Sequence, residues 1–190
     1  HAQSSQRERT GTGKNLGGAK KKFEQAPPKD YIVDGTERPI QRPKGQEEQQ
    51  EFYSGKSHQH AVKNNMIINL ASKRIDYLSD TVEGKKHDKS LLDDANLEFP
   101  EDSTLIGDLG FQGYEPKGAE MILPFKKPRG GELTEAQKQA NKEISSVRVL
   151  VEHVISSVKR LRIVKEILRL LDRPFRAKVT EIASALHNFR

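Results

Sequence analysis

A mixed α/β fold is predicted by three observations. Short runs rich in Val, Ile, Leu and Tyr are closed by polar turns, as the strands of a sheet are. One long segment instead repeats apolar residues at helical spacing: Ile144, Val147, Val151, Val154, Val158 and Leu161. Acidic residues then stand at the ends of two short runs, Asp34 and Asp108, and mid-way along the helical segment, Glu152.

The elements follow in order. Residues 1–29 hold Gly11, Gly13, Gly17, Gly18, Pro27, Pro28 and the run Lys20 to Lys22, with no periodic apolar positions. They are expected to be disordered or foreign to the domain, which then spans residues 30–190. Gly-Thr-Gly-Lys at 11–14 is not a phosphate loop, because Glu8 and Asn15 replace its first glycine and its hydroxyl residue. Tyr31 to Val33 reads as a short buried strand ending at Asp34, and 37–56 as a polar loop with one helical turn. His60 to Leu70 and Arg74 to Val82 read as an antiparallel pair around Ser72-Lys73. Asp88 to Leu97 reads as a helix with Leu91, Leu92 and Ala95 on one face. Ser103 to Gly107 is a strand delivering Asp108, and Met121 to Phe125 a fifth strand. Thr134 caps the long helix, with Gln137 completing a capping box. Pro174 is expected to break that helix, and residues 177–187 to form a last amphipathic one.

Composition bounds the function. Among 190 residues, 33 Lys and Arg against 27 Asp and Glu leave a net charge of +6, which favours a polyanionic partner. The absence of cysteine excludes disulfides, thiolate metal sites and cysteine nucleophiles, and fits a reducing, cytoplasmic setting. No apolar run approaches a membrane span, and no signal peptide is visible.

Carboxylates brought together from separate segments are hard oxygen ligands suited to Mg²⁺ or Mn²⁺. A pair of such ions activates an attacking oxygen and stabilises a leaving one in phosphoryl transfer. Asp34, Asp108 and Glu152 are therefore candidates for one metal site. A strand-end Asp before Gly also reads as a turn residue, and Asp88 after His87 as a helix cap. Glu152 has apolar neighbours in Leu150, Val151 and Val154, so its carboxylate is held at the surface or matched to a cation. Arg148 and Lys159 share its helix face. His58 and His60 have no further ligands at zinc spacing.

Six motifs occur in order: DGTERPIQRP (34–43), YSGK (53–56), EGKKHDK (83–89), GDLGFQG (107–113), KKPRGGELT (126–134) and VEHVI (151–155). Together they resemble the catalytic domain of DDE-type insertion-sequence transposases, in the branch related to Harbinger elements. The resemblance implies an RNase H-like fold of the retroviral-integrase type, a mixed five-stranded sheet flanked by helices, which the order of elements also matches. It implies Asp34, Asp108 and Glu152 as catalytic, metal-holding acids with two Mg²⁺ or Mn²⁺ ions, Asp88 being the alternative second acid. Metal-dependent DNA cleavage and strand transfer, without a covalent protein intermediate, is the implied activity.

The implied partners are double-stranded DNA, as element terminal repeats and target, and a second copy of the chain on paired ends. If the source is bacterial, the setting is the nucleoid. Arg148 and Lys159 are expected to contact DNA phosphates, as are Lys56, Lys126 and Lys127. Nothing before Asp30 resembles the N-terminal helix-turn-helix region such transposases usually carry. The alternative expectation is an inactive relic or a domesticated DNA-binding module.

Overall fold

The computed structural model describes residues 29–169 and 172–190; the N-terminal segment expected to be disordered lies outside these, Lys29 excepted. Strands are β1 (Asp30–Pro39), β2 (Tyr53–Ser54), β3 (Gln59–Asn69), β4 (Ile75–Leu78), β5 (Val82–Glu83), β6 (Glu98–Ile106) and β7 (Lys117–Ile122). Helices are α1 (Gln46–Phe52), α2 (Asp88–Ala95), α3 (Glu135–Lys159), α4 (Arg162–Lys165) and α5 (Arg173–Phe189), and a 3₁₀ turn spans Leu109–Phe111.

The strands form one mixed sheet in the order β2-β3-β1-β6-β7, with β4 and β5 also paired to β3. β1 runs antiparallel to β3 and parallel to β6, and β6 parallel to β7. Strand alternation sends successive side chains to opposite faces. On one face Ile32, Met66, Ile68 and Ile106 pack against Val151, Val154 and Val158 of α3, Val164 of α4 and Val179 of α5. On the other, Tyr31, Val33, Ile67 and Leu105 pack against Leu92 of α2 with Phe99, Phe111 and Tyr114. The architecture is thus α/β, a sheet covered by helices on both faces.

The sheet has seven strands rather than five. The two additions, β2 and β5, are two-residue strands on β3, too short to carry an alternation pattern. The expected strand Arg74 to Val82 divides into β4 and β5. β1 continues past Asp34 to Pro39, because β3 supplies a partner at every position from Tyr31 to Pro39. Its continuation is polar in sequence, yet Thr36 and Arg38 are buried. No helix separates β6 from β7, only the 3₁₀ turn. β7 begins at Lys117 and stops at Ile122, just before Pro124, which has no N–H to give a ladder.

The capping box forms as expected: Thr134 Oγ1 accepts from Gln137 N at 3.2 Å, and Gln137 Oε1 accepts from Thr134 N at 3.0 Å. The buried stripe of α3 ends at Val158, while Leu161 is partly exposed. Pro174 does not break a helix; it lies in the first turn of α5, where a missing N–H costs nothing.

Candidate active site

The parallel pairing of β1 with β6 sets Ile32 opposite Ile106. Two residues beyond each stands an aspartate, Asp34 and Asp108, so the register carries both carboxylates to the same level of the sheet. Asp34 shares its parity with Ile32 and therefore lies on the face covered by α3. Gly107 lets β6 close up beside it: a Cβ there would meet Met121 Cε at 2.7 Å and both Val33 and Phe111 at 3.2 Å.

Local hydrogen bonds aim both acids. Asp34 Oδ1 accepts from Gly35 N at 2.8 Å. Asp108 caps the 3₁₀ turn, Oδ1 accepting from Gly110 N at 2.8 Å. Burial pushes the Asp34 carboxyl above its ordinary value and the Asp108 charge adds to this, against the Gly35 N–H, Arg148 and Lys56. Arg148 Nη2 lies 3.9 Å from Asp108 Oδ2.

Lys159 sits three helical turns beyond Arg148 on α3. Burial pushes its ammonium below the ordinary value, opposed by Asp34 and Glu37. Arg148 and Lys159 therefore both act on Asp34, and Glu152 falls between them on that side of the helix. Its carboxylate is exposed and makes no hydrogen bond or ion pair among the described residues. Among those residues no group of three or more His, Asp or Glu side chains is drawn close enough to hold a metal ion. The structure thus brings together Asp34, Asp108, Arg148, Lys56 and Lys159, and leaves Glu152 facing the cluster from the helix without closing on it. Lys126 and Lys127 stand apart, exposed between β7 and α3. The backbone of neighbouring Phe125 is tied to the Asn141 side chain at 2.7 and 3.0 Å.

Asp88 belongs to a different set. It opens α2 on the opposite side of β1, against Gly35, with its carboxylate 3.1 Å from Lys63 Nζ. Asn65 Nδ2 donates to its backbone oxygen at 2.7 Å. Lys63 is buried and also reaches Glu37 at 3.6 Å.

The sequence pattern of DDE superfamily endonucleases matches residues 33–188, which contain all of these groups. The chain belongs to that superfamily. It is also 33% identical over 158 residues, 83% of its length, to a protein of Microchaete diplosiphon described as a probable transposase for insertion sequence element IS702. The chain spans 56% of that relative's length. No solved structure matches it significantly.

In this DDE-superfamily chain, sequence reasoning missed two supporting residues. Arg38, on the Asp34 face, is buried and donates from Nη1 to the Arg176 carbonyl at 2.9 Å, with no carboxylate paired to it among the described residues. Burial pushes its guanidinium down to about 10. Glu37 accepts from Ser54 Oγ and Ser57 Oγ, each at 2.8 Å to Oε2. Alternation outward from Asp34 was the available signal, since it assigns Thr36 and Arg38 to the helix-covered face and Glu37 to the other.

Proposed function

We propose that residues 30–190 are the catalytic domain of an insertion-sequence transposase with an RNase H-like fold, cutting and joining double-stranded DNA at element ends. The observation that carries this reading is the pairing of β1 with β6, which sets Asp34 on β1 near Asp108 just past the end of β6, beneath a helix presenting Arg148, Glu152 and Lys159. Membership of the DDE superfamily and likeness to a transposase supply the substrate class.

The donor set suits a divalent cation such as Mg²⁺ or Mn²⁺. Asp34 and Asp108 offer hard oxygens, and the Asp34 carboxyl is raised chiefly by burial and further by the Asp108 charge, both of which a bound cation would offset. Asp34 and Asp108 would hold it, with Glu152 contributing from α3. When bound, one or two such ions supply Lewis acidity to the scissile phosphate and to the attacking oxygen. The side chains do the rest. Lys56, Arg148 and Lys159 neutralise phosphate charge and set the DNA backbone against the acids. Asp108 is aimed by the Gly110 N–H. Two copies on paired element ends form the working assembly.

DNA cleavage and strand transfer with Mg²⁺ or Mn²⁺, on duplexes carrying the flanking terminal repeats, test this. Products expected from the native chain disappear in Asp108→Ala. Products that persist in that variant, or that form without divalent metal, overturn it.

A further inference from the structure

Glu37 lies three residues after Asp34 on β1 and is a carboxylate whose oxygens are already occupied. Ser54 Oγ lies 2.9 Å from Oε1 and 2.8 Å from Oε2, its one proton shared between them, and Ser57 Oγ donates to Oε2 at 2.8 Å. Lys63 Nζ adds a charge contact at 3.6 Å and is itself anchored on Asp88 at 3.1 Å. Glu37 is therefore no candidate ligand. It is the end of a strut, Asp88 to Lys63 to Glu37, that grips the β2–β3 turn at both shoulders.

That turn needs an external grip. It contains Gly55, and its last residue, His58, holds a φ of 53°, a left-handed conformation unfavourable for a side chain with a Cβ. Within it the only internal side-chain tie is Ser57 N donating to Ser54 Oγ at 3.3 Å. Between the two gripped serines stands Lys56, exposed, without an ion pair among the described residues, and close enough for its charge to act on Asp34 and Lys159.

We propose that Glu37 is a positioning residue, its carboxylate fixing the Ser54–Ser57 turn so that Lys56 is held beside Asp34 as a phosphate-contacting cation. This rests on the reading of the site as one for DNA. It gives the YSGK motif a physical role: the serine is the handle, the glycine the bend and the lysine the working group.

The test is a double-variant cycle on the full chain, reading affinity for a fluorescent DNA duplex across a salt series. Loss of Lys56 removes one phosphate contact, so Lys56→Ala lowers affinity and the salt slope falls by about 1. Glu37→Ala removes a negative charge, which by charge alone would tighten binding to a polyanion. The expected result is the reverse, weaker binding with the same loss of slope. The double variant should match Lys56→Ala to within about twofold. Unchanged or tighter binding by Glu37→Ala overturns the proposal, as does a double variant weakened by the product of the single effects.

Hydrogen exchange separates this from failure of the DNA reading. Amides at 55–58 should exchange faster in Glu37→Ala while those of β1 and β3 stay protected, whether or not the native chain binds DNA. Unchanged exchange at the turn overturns the proposal, and a native chain that binds no duplex overturns the DNA reading. If Glu37→Ala fails to fold, Ser57→Ala, which keeps every charge, should loosen the same amides. No loosening there overturns the proposal.

Discussion

Arg148 Nη2 stands 3.9 Å from Asp108 Oδ2, and the two side chains retain 30% and 27% of their exposure. A half-open pair at that distance contributes little to stability, typically within about 1 kcal/mol. The guanidinium is therefore free to exchange Asp108 for a phosphate when DNA arrives. Arg148→Ala should leave the melting temperature nearly unchanged. It should weaken duplex binding and lower the salt slope by about 1. A salt series on binding, with a thermal melt alongside, checks both halves.

Asp88 should behave as a structural acid. Asp88→Asn deprives the buried Lys63 of its nearer partner, leaving Glu37 at 3.6 Å. A loss of about 1–3 kcal/mol is expected. Denaturant unfolding measures it. Metal-dependent cleavage by the folded variant should survive; its abolition would transfer the second acid's role to Asp88.

Asp34 predicts a pH dependence with a definite sign. Its folded carboxyl titrates above the ordinary 3.8, so the folded chain holds that proton more tightly than the unfolded chain. The resulting stabilisation is complete below the ordinary value and is lost as pH rises through the raised one. Asp34→Asn should therefore raise the metal-free melting temperature at neutral pH, with the difference shrinking towards pH 4. Mg²⁺ should raise the melting temperature of the native chain more than that of the variant, because only the former keeps the full donor set. A neutral-pH melting temperature lower in the variant would contradict the sign.

Thr134→Ala removes half of the capping box that starts α3. A loss of about 1 kcal/mol is expected from chemical denaturation. Arg148, Glu152 and Lys159 lie far from that end of the helix, Lys159 being its last residue, so duplex affinity should hardly change.

What could be read from the sequence was what depends on neighbours in the chain. Thr134 and Gln137 announce a cap because both partners lie within one helical turn. The α3 stripe announces a buried face because its period is local. Asp34 and Asp108 stand out because each follows an apolar run. The rest depends on distant partners. Thr36 and Arg38 look like loop residues, so the sequence alone ends β1 at Asp34. Arg38 is buried against distant acceptors, the Arg176 carbonyl 138 positions away together with Asn64 Oδ1 and Thr81 Oγ1. Lys63, Asn64 and Asn65 are buried in β3 for the same reason, supplied by Asp88, Ser79 and Thr81. Pro174 reads as a stop in sequence because proline's effect depends on where a helix starts, which the sequence leaves ambiguous. The relation of Glu152 to the two aspartates depends on how α3 lies across the sheet, which no local pattern encodes.

The Ile32–Ile106 rung also says which insertions and deletions such a chain can survive. The loops between β1 and β6 can lengthen or shorten without disturbing the two aspartates, because their meeting is set by the pairing of two strands. One residue gained or lost between Ile32 and Asp34, or between Ile106 and Asp108, is another matter. In β1 it would turn the Asp34 carboxylate to the opposite face of the sheet, and after β6 it would move Asp108 off the 3₁₀ cap that aims it. On the proposed reading, a variant lengthened or shortened in the loops should keep metal-dependent cleavage, whereas one altered at either single-residue spacer should lose it even with every acid intact.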